Sequence, residues 1–115
     1  MQEQDAAQLY RQFVVLALQR RAVYTVACDN DLVALFGPLG GALPLWPTRN
    51  DANFFISQHW PGLRPHRMTL RQLITRLPLF SVQSIPIGVG LAKYPEALIL
   101  PAMRLYEDLT AGHAA

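Results

Sequence analysis

The chain of 115 residues has one cysteine, Cys28, and one lysine, Lys93. A lone thiol cannot close an intrachain disulfide, which excludes a disulfide scaffold and favours a reducing compartment. Charge of either sign is scarce: Asp, Glu, Lys and Arg make up 16% of the chain, against about 25% in ordinary domains. A net charge of +2 falls far short of the clustered basic charge that grips phosphates, so no direct nucleic-acid binding is expected. Long apolar runs are missing as well. The longest, FVVLAL at 13–18, is far below the ~20 residues that cross a bilayer, so no membrane span is expected. The opening MQEQD is acidic and polar and has no signal-peptide character. A cytoplasmic protein is the resulting expectation.

What is present is hydrophobic mass. The chain is 51% hydrophobic, and exchanging its four Tyr for its seven Gly raises the share to about 54%, against about 45–50% on that basis. Disorder is excluded, and the length fits one domain over 1–115 that buries roughly two-thirds of its unfolded surface. Apolar residues in excess of what such a domain hides imply an interface, with a second copy or with a partner. The competing reading is an uncharged surface rich in Gln, Thr, Asn and Ser. Nine of the ten basic residues are Arg, the cation that stacks and forms bidentate pairs at interfaces.

Periodicity organises this mass into elements. Residues 5–21 contain no Gly or Pro and carry Ala6, Leu9, Tyr10, Phe13, Leu16 and Ala17 at helical spacing. Val14, Val15 and Leu18 widen that stripe, which predicts a helix buried from more than one side. AVYTVAC at 22–28 and LVALF at 32–36 read as a β-hairpin turning at Asp29-Asn30-Asp31. The glycine-rich 37–41 is a loop. ALPLW at 42–46 is a short strand that Pro44 confines to an edge or bulge. Thr48 opens a helix to about Trp60, with Ala52, Phe55, Ile56 and His59 inward, and Pro61-Gly62 stops it. Thr69 caps a helix over 70–77 that Pro78 ends. Residues 81–89 read as an edge strand interrupted by Pro86. Residues 91–100 are ambiguous, and Pro101 opens a last helix over 102–111, with Met103, Tyr106 and Leu109 apolar and Gly112 beyond its end. The mixed order predicts an α+β fold: a small antiparallel sheet with helices packed on it, in a single compact domain.

Catalytic constellations are thin. His59, His66 and His113 have no Cys or carboxylate at metal-ligand spacing. Cys28 on a strand reads as a small core residue, and pairing with His59 would depend entirely on the fold. Asp29 and Asp31 suit a turn, and Glu107-Asp108 suits an exposed helix face. The Gly37-x-x-Gly40-Gly41 loop matches neither dinucleotide nor phosphate-loop fingerprints. No catalytic residue, cofactor or metal is therefore expected. More informative is the stretch 52–95, which has no acidic residue yet holds Arg64, His66, Arg67, Arg71, Arg76 and Lys93. It gives one region a positive field, which reads as a solvated face balanced from elsewhere or as a site for an acidic protein.

The string Val23-Tyr24-Thr25-Val26, then LPLWP at 43–47, then Ala52, Phe55 and Trp60, resembles a small bacterial domain family of unknown function. Over about 5–110 the chain also resembles quorum-sensing anti-activators. That resemblance implies a non-enzymatic regulator that binds a LuxR/LasR-type, acyl-homoserine-lactone-responsive transcriptional activator, prevents its dimerisation and so keeps it from DNA. It supplies no binding residues. From the residues themselves, Leu9, Tyr10, Phe13 and Val14, or Phe54 and Trp60, are expected to form a homodimer seam or the partner face. Arg67 and Arg71 are added as basic anchors. The alternative function is a cytoplasmic immunity-type protein that neutralises a toxin by binding it, against which the low net charge weighs. A small enzyme or ligand-binding domain is third.

Overall fold

The computed structural model describes residues 3–28, 31–32, 41–91 and 94–114. Residues 33–36 of the expected second strand, the glycine-rich 37–40, Lys93 and Asp29-Asn30 of the expected turn lie outside the described residues, as do the side chains of Cys28 and His113. Helix α1 spans Glu3–Arg20. Its Leu9, Phe13 and Ala17 are buried, because a four-residue spacing stacks side chains on one face. Arg21 takes a φ of 54°, the left-handed conformation that ends helices, and turns the chain into strand β1, Ala22–Cys28. The expected hairpin follows: β1 pairs antiparallel with β2, Asp31–Leu32, with Cys28 opposite Asp31.

Strand β3, Leu43–Leu45, leads to helix α2, Arg49–His59. As expected, the Thr48 hydroxyl caps it, accepting the Asp51 N–H at 3.1 Å. Strand β4, Arg64–Thr69, runs antiparallel to β1 along its length and passes directly into helix α3, Leu70–Val82. Strands β5, Ile87–Leu91, and β6, Tyr94–Leu100, precede helix α4, Ala102–Ala114. Two three-stranded sheets result, ordered β2-β1-β4 and β3-β5-β6. They meet where Tyr24 and Trp46 exchange both backbone hydrogen bonds, at 2.9 and 2.8 Å. Pro44 needs no N–H partner at this junction, and its carbonyl accepts the buried Thr25 hydroxyl at 2.7 Å.

The class is α+β, with four corrections to the sequence reading. The sheet is not wholly antiparallel: β3 and β5 run parallel, an arrangement that requires a long crossover, here α2, β4 and α3. Pro78 does not end α3, which continues to Val82. It stops instead in a Schellman turn, where Ile85 N–H reaches Phe80 O at 2.8 Å, Ser84 N–H reaches Ser81 O at 3.0 Å and Ser84 has a φ of 58°. The strand expected over 81–89 therefore begins at Ile87, and it is the central strand of its sheet, not an edge. Helix α4 passes through Gly112, where a Cβ would lie 2.6 Å from Leu18 Cδ1, so the missing side chain lets α1 and α4 approach. The buried stripe of α4 is Ala102, Leu105 and Leu109, while Met103 and Tyr106 are half-buried.

Two hydrophobic clusters hold the elements together. The larger joins Phe13 and Ala17 of α1, Leu73 and Leu77 of α3, and Leu105 and Leu109 of α4 to Val23, Leu45, Met68 and Ile87 of the sheets. The smaller packs Val26, Ala42 and Trp46 under Ala52, Phe55 and Ile56 of α2. Each large side chain hidden here contributes about 1.5–3 kcal/mol.

Candidate protein-docking surfaces

The eight residues singled out by sequence fall in three places and in the core. Phe13 is wholly buried and Leu9 nearly so, so both hold α1 to the sheets and neither is a surface anchor. The reason is geometric: they share the stripe of Ala17, whereas Tyr10 and Val14 are rotated about 100° from them and lie half-buried at its margin. Beyond that margin Val15 is 50% exposed. The width of the apolar stripe on α1 is thus split between a core face and a face that reaches solvent.

That outer face adjoins α4. The Tyr10 hydroxyl donates to Asp108 Oδ2 at 2.5 Å, Arg104 Nε reaches the same oxygen at 3.2 Å, and the Arg104 guanidinium stands over the Tyr10 ring, 5.8 Å from its centre. Burial pushes the Tyr10 hydroxyl well above its ordinary range, and its hydrogen bond to Asp108 and that carboxylate's charge push it further, against the opposing charge of Arg104. A hollow of about 490 Å³ runs between Ala7, Tyr10, Arg11, Val14 and Val15 on one side and Arg104 and Asp108 on the other. Apolar side chains beside an aromatic with a polar tip and an Arg are the composition of an interface anchor. Sequence reasoning found Tyr10 and Val14 but missed Arg104 and Asp108, which pair at i, i+4 on a helix remote in the chain.

The second place is helix α2, with Phe54 at its middle and Trp60 at its C-cap. Phe54 is 49% exposed and Trp60 half-buried. Phe55 lies between them in sequence and turns inward, its ring centre 5.3 Å from Trp60 and 5.4 Å from Trp46. His59, expected inward, is exposed and lays its ring against Phe55 at 4.3 Å. Trp46 of the LPLWP string is buried at the sheet junction, so that motif is structural here.

Arg67 and Arg71 form the third place, exposed on β4 and on the first turn of α3. With Arg21, Thr69, Leu70, Ile74 and Thr75 they line a groove of about 640 Å³. A fourth surface escapes the sequence reading, in which Pro78 ends the helix. Leu79 and Val82 on the last turns of α3 are 60% and 84% exposed, and Ile99 of β6 is 48% exposed. Ile99 lines a hollow of about 390 Å³ with Ser81, Ser84, Ile85 and Pro86.

Among the described residues no three His, Cys, Asp or Glu side chains come together as a metal site, and no helix is long and apolar enough to cross a membrane. Compared with known proteins, the chain matches no family profile, and neither a curated protein nor a solved structure proves similar to it.

Proposed function

We propose that the protein is a non-enzymatic, cytoplasmic regulator of quorum sensing: it binds a LuxR/LasR-type transcriptional activator and covers the surface on which two activator subunits meet. The observation that carries this reading is the outer face of α1, where Val15 is half exposed beside Val14 and the Tyr10–Asp108–Arg104 network. A face with an apolar ridge and a fixed polar anchor, on a helix whose other side is locked into the core, can displace a like-sized helical patch at a symmetric interface. The resemblance to quorum-sensing anti-activators supplies the partner class. The protein acts as a homodimer in this reading, with Leu79, Val82 and Ile99 at its seam.

The test mixes the purified protein with a purified, autoinducer-loaded activator of this class. Light scattering on the eluting complex and a gel shift with the activator's operator DNA are the readouts. The expected result is loss of the activator dimer and of the DNA complex. Val15→Asp places a charge on the ridge and weakens inhibition by about tenfold or more, while circular dichroism shows the fold intact. An activator that remains dimeric and DNA-bound in excess protein removes the reading, and a toxin recovered from the native cytoplasm in its place points to neutralisation.

A further inference from the structure

Among the described residues, the groove between β4 and α3 has charge without a counter-charge. Arg67 comes from the outer strand of its sheet, Arg71 from the first turn of α3, and Arg21 from the α1–β1 junction. Among the described residues none of these three guanidiniums has an ion-pair partner. The acid-free stretch 52–95 supplies both walls, so no carboxylate of β4 or α3 neutralises them. Below the rim the lining is apolar, with Leu70 3% exposed and Ile74 half-buried.

The donors present decide the class of ligand. A compact oxyanion is held best by several free backbone N–H groups at a helix start, but here those of Leu70 and Gln72 are occupied, which leaves only that of Arg71 in the first turn. Gln72 N–H goes to the Thr69 hydroxyl at 3.1 Å, Thr69 N–H to Gln72 Oε1 at 3.0 Å, and Leu70 N–H to Arg21 O at 2.9 Å. The Thr75 hydroxyl is likewise donated inward, to Arg71 O at 2.9 Å. What remains is three guanidinium forks on separate arms around an apolar floor. Guanidinium matches carboxylate in bidentate geometry. Nucleic acid would want aromatic rings for base stacking, and the groove lining has none.

We propose that the β4/α3 groove docks an acidic, amphipathic peptide segment of a partner protein, its carboxylates held by Arg21, Arg67 and Arg71 and its apolar side chains laid on Ile74. This site is separate from the α1/α4 face and stands whichever protein supplies the segment.

The experiment titrates the full-length protein into a short fluorescein-labelled peptide in which Leu residues are flanked by Glu at helical spacing, and into its twin with Gln for every Glu, following anisotropy. The Glu peptide binds and the Gln peptide does not. Added salt weakens the binding, as contacts between exposed charges require. The Arg67→Glu/Arg71→Glu variant weakens it by about tenfold or more. Should that variant lose its native circular dichroism, Arg71→Gln carries the test with a weakening of about threefold. Equal binding of the two peptides, folded variants that bind unchanged, displacement by stoichiometric inorganic phosphate, or tighter binding of a single-stranded oligonucleotide would each overturn the proposal.

Discussion

Tyr10 shows how one side chain can be both cement and surface. Its ring joins α1 to the core cluster, and its hydroxyl spans to Asp108 on α4. Burial holds that hydroxyl neutral above the ordinary tyrosine value of 10.0, with Asp108 adding to the shift. The sign of the linkage follows. A phenol whose proton binds more tightly in the folded than in the unfolded chain stabilises fully at neutral pH, and that contribution is lost as pH rises past the unfolded value. Stability of the native protein is therefore expected to be flat in this respect up to about pH 10 and to fall above it. Tyr10→Phe removes its part of the alkaline fall and lowers neutral stability by about 1 kcal/mol, the scale of one half-exposed hydrogen bond to a carboxylate. Urea melts of both proteins at neutral pH and above pH 10 check this, and parallel pH profiles would refute it. Phe13 marks where residue-level reading ran out. Its spacing is as compatible with a partner face as with the core, and only the position of the sheets, which bury it completely, decides.

At the scale of elements, the readable signals were local ones. The Thr48 and Thr69 caps, the β1–β2 hairpin and the start of α4 after Pro101 are all set by residues within a turn of where they act. The others depended on distant contacts. Strand β4 reads RPHRMT, with only Met68 buried; it is a strand because β1 pairs with it, and pairing leaves no mark on its own hydropathy. Helix α3 tolerates Pro78, although a mid-helix Pro costs about 3 kcal/mol, because Leu73 and Leu77 before it and Phe80 after it pack on the larger cluster. Its true stop, Ser84 in the left-handed region, carries no glycine to announce it. That position yields a prediction: Ser84→Gly relieves the left-handed conformation and stabilises the protein by about 0.5–1 kcal/mol, seen as a higher melting temperature. A lower one would mean that the Ser84 side chain, and not only its backbone, holds the turn.

For the whole molecule the question is which apolar surface does what. An excess of hydrophobic residues could be counted from the sequence, but its division into a core stripe, an α1/α4 ridge and a patch at the far end of α3 depends on how the helices rotate against the sheets. The far end of α3 differs from the ridge in its hollow, where Ile99 stands with Ser81, Ser84, Ile85 and Pro86 and no charged side chain joins the lining, while Leu79 and Val82 are exposed on the last turns of the same helix. Surfaces that are apolar without charges resemble a core cut in two, the mark of permanent self-association, whereas ridges with Arg and Tyr suit an interface that forms and parts. The proposed homodimer thus uses the α3 patch and leaves the ridge free for the activator. Light scattering is expected to give about 26 kDa, twice the 12.9 kDa of one chain. Val82→Glu sets two carboxylates against each other across the symmetric seam and should return the protein to the monomer mass. Because Val82 is the most exposed of the three, its replacement leaves the core untouched, and the monomer should keep its melting temperature at low concentration. A wild-type protein that is monomeric at high concentration excludes the seam, and a dimer that survives Val82→Glu moves it to the ridge, in which case Val15→Asp is the variant that dissociates it.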